Sequence, residues 1–269
     1  MIRICDSYIP AQHLRNYIDR YWTCSVESKS DIDMFPLFAG TGVDLLIHLG
    51  TPFSSKEHKL ASSHILCPRQ LLDLSSEGNT QFIAARFRCG SFRHFCDINF
   101  NEINNTFLSV EDIWKEDGRN LLTQLQDEVV DMAIQTDLLN QFFTKLLHRY
   151  RKDNQVIDKA INVLYKNTED STIYSIAKNM NMSLRNFERI FKSEFGLSPK
   201  RFHTISRFQK TVKELLLTDY NDYLPIILER GYYDQPHFIR ECKSELNLTP
   251  SELKNIKDNR LHFFFESLH

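Results

Sequence analysis

Between Ser183 and Lys192 the chain reads SLRNFERIFK. If this stretch is helical, Arg185, Glu188 and Arg189 share one face, opposite Phe187 and Phe191. That face could read bases: an arginine forks onto O6 and N7 of guanine, and a glutamate accepts from N4 of cytosine. Asn186 and Lys192 suit phosphate oxygens. The competing reading is a solvated face on which Arg189 pairs with Glu188 or Glu194, as most helical charges do. Further on, DQPHFIRECK begins at Asp234, with Gln235, Pro236, His237 and Arg240 in the corresponding places. Glutamine can take adenine with two hydrogen bonds, whereas Pro236 offers none. His237 would make a neutral polar contact, and Arg240 could instead serve Glu241 or Glu245.

Arg86 and Arg88 flank Phe87 in a run of strand formers, so their side chains share a face. Enclosed, two guanidiniums would suit a carboxylate or similar anion. Exposed, they would pair with Asp44 or Asp97. Cys89, His94 and Cys96 lie close together, but no C-x-x-C pair supports a metal site and none is expected. The six cysteines (Cys5, Cys24, Cys67, Cys89, Cys96 and Cys242) lack the rhythm of a disulfide scaffold and read as free thiols in the core. A redox role would require a lowered thiol pKa, which nothing in the sequence foretells. The chain has no G-x-S-x-G, no H-E-x-x-H and no phosphate-cradling loop, with eight glycines in all. Neither a catalytic residue nor a cofactor is expected.

These residues need a scaffold, and 269 residues suffice for two domains. Apolar content of 42% and charged content of 25% are those of a globular protein. No apolar run approaches the roughly 20 residues of a membrane helix, and Met1–Pro10 lacks a signal-peptide core, so a cytoplasmic location is expected. The net charge of −2 conceals a split. Residues 151–269 carry 19 Lys and Arg against 16 Asp and Glu, whereas residues 1–150 carry 14 against 19. Nucleic-acid binding needs a local basic face rather than a basic average.

The first hundred residues read as mostly β, with strands over Gly42–Leu49 and Gln81–Cys89 and a surface loop over Thr51–Lys59. From about Arg119 the period becomes helical. Leu121, Leu122, Leu125 and Val129 share one face, and Leu139, Phe142, Phe143, Leu146 and Tyr150 another, forming either core or a dimer seam. The expected fold is α+β: a β-rich domain with flanking helices over 1–150, a linker at 151–155, and an all-α domain over 156–269.

Within that last part the chain repeats itself. IAKNMNMSLRNFERIFKSEFGLSP ends at Pro199, and IILERGYYDQPHFIRECKSELNLTP ends at Pro250. Phe187 matches Phe238, Arg189 matches Arg240, Lys192 matches Lys243, Glu194 matches Glu245, and Leu197 matches Leu248. Each copy parses as helix, turn, helix. Ser183 and Asp234 cap the second helix, and Gly196 and Asn247 stop it. Thr249-Pro250-Ser251-Glu252 opens a final helix as a capping box. Arg201–Leu217 bridges the copies as one helix of roughly 25 Å. It can hold two recognition helices about one DNA turn (~34 Å) apart.

The I-A…S-x-R-x-F-x-R-x-F-K…G-x-S-P string, followed by G-Y…F-x-R-x-x-K…T-P, resembles the DNA-binding domain of the AraC/XylS transcription regulators over about residues 155–254. The resemblance implies a seven-helix, two-headed reader of double-stranded promoter DNA, working beside RNA polymerase. It implies DNA contacts from Ser183, Arg185, Asn186, Glu188, Arg189 and Lys192 in one head and from Gln235, Pro236, His237 and Arg240 in the other. Ile227 and Cys242 depart from the family's Ala and Phe, which predicts altered packing or weaker binding by the second head. Tyr8–Trp22, Phe35–Gly50 and Ala84–Gly90 resemble an N-terminal module of some members. This implies a β-rich sensor core, and no ligand comes with it. The family usually pairs its DNA-binding domain with one that senses a small molecule or mediates dimerisation, so a homodimer and a small-molecule effector are expected, and the shared face of Arg86 and Arg88 makes them candidate ligand-binding residues. Activation is the working expectation, although the residues leave the sign of regulation open. The alternative is a ligand-independent or redox-responsive regulator. The Phe-rich tail His262–Phe265 has no assigned role.

Overall fold

The computed structural model describes residues 2–27, 32–33, 37–55, 59–76, 80–127, 131–152, 155–166, 172–217 and 222–255. Val129 and the tail at 262–265 lie outside these.

The N-terminal part is built on a five-stranded antiparallel sheet with strand order β1-β2-β8-β4-β6. Its strands are β1 (Ile2–Tyr8), β2 (Ile18–Glu27), β4 (Val43–His48), β6 (Ser63–Leu66) and β8 (Thr80–Phe87). A small second sheet joins β3 (Ile32–Asp33), β7 (Leu74–Ser76) and β5 (Ser54–Ser55). Strand β4 is buried along its whole length because both of its faces are covered. Val43, Leu45 and Ile47 share one core with Ile83, Ala85 and Phe87, against the helices. Leu46 joins Trp22, Phe82 and Ala84 in another, with Phe53, Leu60 and Leu74.

Thr51–Lys59 is therefore not simply a surface loop. It contributes β5, and Phe53 is 2% exposed because it fills the space between the sheets. Helices also begin earlier than Arg119. After α1 (Phe100–Ile103), α2 runs over Val110–Asp127, and α3 follows over Met132–Tyr150. Lys115, at φ +50°, breaks the regular period inside α2 and hides its first turn from a pattern search. Leu121, Leu125, Leu139, Phe142, Phe143 and Leu146 are all buried in one cluster with the sheet, so this stripe is core rather than an open seam. Phe143 meets Tyr21, Phe87, Phe95 and Trp114.

The described residues that follow form helices: α4 (Gln155–Lys166), α5 (Thr172–Asn179), α6 (Leu184–Phe195), α7 (Pro199–Leu217), α8 (Leu224–Glu229), α9 (Gln235–Leu246) and α10 (Pro250–Asn255). Two cores divide it. Phe187, Phe191, Phe195 and Phe202 pack with Ile157, Leu164 and Ile176 in the first. Phe208, Val212, Leu215, Ile227, Phe238 and Cys242 form the second. Helix α7 supplies residues to both.

Candidate nucleic-acid interface

Helix α6 is placed by its ends. The Ser183 hydroxyl accepts the Asn186 amide at 3.3 Å, and Gly196 closes the helix at φ +67°. Only glycine takes that conformation without strain, and a Cβ here would also collide with the Asn104 side chain. Phe187, Phe191 and Phe195 point inward. The opposite face carries Arg185, Glu188, Arg189 and Lys192, all exposed and, among the described residues, in no ion pair. Asn186 is half-buried and accepts from the Arg189 guanidinium at 3.0 Å. Glu194, a possible partner for Arg189, turns the other way and meets Arg93 at 2.8 Å. Arg189 is thus held by a neutral amide and keeps donors available for bases or phosphates.

Helix α9 repeats the arrangement. The Asp234 carboxylate accepts the His237 amide at 2.7 Å, and Asn247 ends the helix at φ +58°. Pro236 and Arg240 are exposed, while Gln235 and His237 are half-buried. Both acids that could have held Arg240 are engaged by α7: Arg201 grips Glu245 with bonds of 2.5 and 3.0 Å, and Arg207 meets Glu241 at 3.1 Å. Burial pushes the Glu241 carboxyl above its ordinary range against the pull of Arg207. Ile227 and Cys242 are fully buried, so the two family departures lie in the core rather than on the reading face. Asp234→Ala is expected to cost about 1 kcal/mol through the lost cap. Urea unfolding at constant m-value checks this, and a loss within error would remove Asp234 as the determinant of where α9 begins.

Two exposed aromatics escaped the sequence reading. Tyr233, just ahead of the Asp234 cap, is 87% exposed, and Tyr174 on α5 is 65% exposed. Position before the second head's cap was the available signal for Tyr233. Tyr174 offered none, since an isolated tyrosine in a short helix reads as core.

Both heads are fastened to the N-terminal part. Arg93 is 2% exposed and holds Asp158 of α4 and Glu194 of α6, each at 2.8 Å. His94 adds a 3.3 Å contact to Asp158. Burial would raise Asp158, but the bonds from His94 and Arg93 outweigh it and hold the carboxyl below its usual range. Phe100 packs on Phe195 at 5.9 Å, and Phe38 on Phe208 at 5.8 Å. The Thr41 hydroxyl meets the Gln209 amide oxygen at 3.3 Å. Arg86 pairs with Asp44, as weighed from sequence, at 3.3 Å, whereas Arg88 pairs with Asp19 at the same distance and not with Asp97. Burial pushes the Cys89 and Cys96 thiols up to about 11, opposite to the shift a redox thiol needs.

Residues 176–256 match the family model of a helix-turn-helix domain, across both capped helix pairs. The chain carries an AraC-type helix-turn-helix domain. Residues 6–109, ahead of the AraC-type domain, match a domain of unknown function (DUF6597). An uncharacterized HTH-type transcriptional regulator of Haemophilus influenzae is 34% identical over 122 residues, covering 45% of this chain and 39% of that protein. The matching family model and the Haemophilus relative are both of helix-turn-helix type. Among solved structures, ToxT from Vibrio cholerae aligns with TM-score 0.48 and 12% identity over 95% of this chain and 99% of ToxT. A ToxT structure with a bound unsaturated fatty acid gives 0.44 and 12% over 93% and 94%.

Proposed function

We propose that this chain is a sequence-specific regulator of transcription that reads promoter DNA with α6 and α9 in two successive major grooves. The observation that carries the reading is the state of the outer face of α6. Four charged side chains stand exposed without ion-pair partners among the described residues, while the nearby acid Glu194 is drawn inward by Arg93. A face serving only solubility would be expected to satisfy itself by pairing along the helix. On DNA, Arg185 and Arg189 would donate to guanine edges, Glu188 would accept from cytosine, and Lys192 and Asn186 would meet phosphates. Ser183 would stand beside the backbone at the helix N-terminus. In the second head Gln235 and Arg240 would carry the polar contacts, with Pro236 and His237 beside them. The overall balance of −2 does not oppose this, because the recognition faces are locally basic.

The experiment is selection of bound fragments from genomic DNA, followed by affinities across a salt series. Enrichment of sites spanning about two helical turns per chain is expected, with affinity falling steeply as salt rises. A full-length protein that enriches no sequence, and binds random DNA equally well, would overturn the reading.

A further inference from the structure

The two helix-turn-helix units share a grammar, but the second turn is one residue longer. In the first unit the chain turns at Asn181, φ +53°, and the Met182 amide then donates to the Ala177 carbonyl at 2.9 Å. In the second it turns at Gly231, φ +80°, and the Tyr232 amide donates to the Ile227 carbonyl at 3.0 Å. Met182 and Tyr232 are therefore equivalent, and each packs on the core of its own head. Met182 is followed directly by the cap Ser183. Tyr232 is followed by Tyr233, and only then by the cap Asp234. The inserted residue is thus Tyr233, and its side chain is 87% exposed while that of Tyr232 is 2% exposed. An insertion serving the core would bury its ring; this one holds it out at the start of α9. The backbone beneath it is fixed from both sides. Tyr232 lies under the Arg207 guanidinium, 4.4 Å from the ring, and against Phe238 at 4.9 Å. Asp234 is tied to α9 by its cap bond to the His237 amide, and the Tyr233 amide donates to His237 Nδ1 at 3.5 Å. A phenol on so rigid a stem leaves little to be ordered when it meets a partner.

We propose that Tyr233 is a DNA contact of the second head, its hydroxyl donating to a phosphate oxygen at the edge of the groove that α9 enters. The first residues of a recognition helix meet base edges, so the chain just ahead of them stands at the groove's rim, among the phosphates. Tyrosine is one of the neutral side chains that bond phosphate oxygens there. The first head has no counterpart, because its turn lacks the inserted residue. The second head has the greater need of an anchor, since Pro236 at the start of α9 offers no hydrogen bond of its own. Carrying no charge, the phenol displaces no counterion, so its share of the affinity persists as salt rises. This inference rests on the DNA-reading function proposed above.

The test compares the full-length wild type with Tyr233→Phe and Tyr233→Ala on duplexes carrying selected sites, across a salt series. Tyr233→Phe should lose about tenfold in affinity at every site, the worth of a hydrogen bond to a charged group. Tyr233→Ala should lose at least as much. The slope of log affinity against log salt should stay at its wild-type value in both, whereas Lys192→Ala should make it shallower by about one. On duplexes cut back to the first half-site all three proteins should bind alike, which assigns the contact to the second head. The exposed ring supports no core, so both variants should fold, and an unchanged thermal midpoint checks that they do. A Tyr233→Phe protein within twofold of wild type would overturn the proposal. So would a loss confined to sites with one particular base beside the second half-site, because the ring would then be reading sequence. Unchanged DNA affinity with lost transcription in a reconstituted assay would overturn it too, by turning the tyrosine toward the polymerase. Wild-type protein that enriches no sequence would sink the DNA-reading function and this contact with it; enrichment with an indifferent Tyr233→Phe would sink the contact alone.

Discussion

Replacing Arg189 by alanine should flatten the ranking of DNA sites, costing about 1–3 kcal/mol at the best site and much less at poor ones. Arg189 stands on the exposed face of α6, where its guanidinium donates to the neutral Asn186 amide. Its removal leaves no buried charge behind, so the fold should be untouched and the whole effect should appear in base discrimination. Arg240→Ala is expected to act differently. Beside Arg240 the second head offers a proline at the place where a polar reader would stand. That head therefore contributes more positioning than readout, and its loss should weaken all sites together. The measurement is competition binding against a ranked set of selected sites for both variants at one salt concentration. Equal loss of discrimination from the two would remove the asymmetry between heads.

Arg93→Ala should destabilise the whole chain by about 2 kcal/mol. Removing one partner from a buried charge cluster commonly costs about 3–5 kcal/mol, and the partial exposure of the two acids here reduces that figure. Arg93 is 2% exposed, while Asp158 and Glu194 are 37% and 28% exposed. Lysine cannot serve two carboxylates in one plane as the guanidinium does, so Arg93→Lys should recover only part of the loss. Chemical denaturation of the two variants, with Glu194→Gln to complete a double-mutant cycle, measures this. A loss below about 0.5 kcal/mol would make the cluster a surface feature. The sign with pH follows from Asp158, whose folded-state pKa is depressed. Its contribution is fully present above the ordinary carboxylate value and is lost as pH falls through the lowered one.

The helical heads were legible because their grammar is local. Ser183 and Asp234 as caps, Gly196 and Asn247 as stops, and Thr249 with Glu252 as a capping box are decided within four residues, and all adopt those roles. The sheet was legible because β4 and β8 are apolar runs of strand formers bounded by turn residues. What depends on distant partners was hidden. Phe53 sits in a polar stretch and is buried only because a second sheet closes over it. The start of α2 is masked by the left-handed Lys115. The fastening of the heads rests on Arg93 with Glu194 and Thr41 with Gln209, polar pairs 101 and 168 residues apart that no periodicity reveals. Arg86 and Arg88 could be placed on one face by alternation, but their partners Asp44 and Asp19 come from other elements.

Helix α7 places Phe202 in the core of one head and Phe208, Val212 and Leu215 in the core of the other. Neither head can swivel without tearing its own interior. Under the DNA-reading function proposed above, the protein then behaves as a ruler whose length is cast in side-chain packing rather than in a tether. The rotational phase of its two half-sites becomes an inherited constant. Operators that drift by half a helical turn between those half-sites would fall silent even with every contacted base intact, so the spacing between half-sites should vary less across its targets than the bases within them.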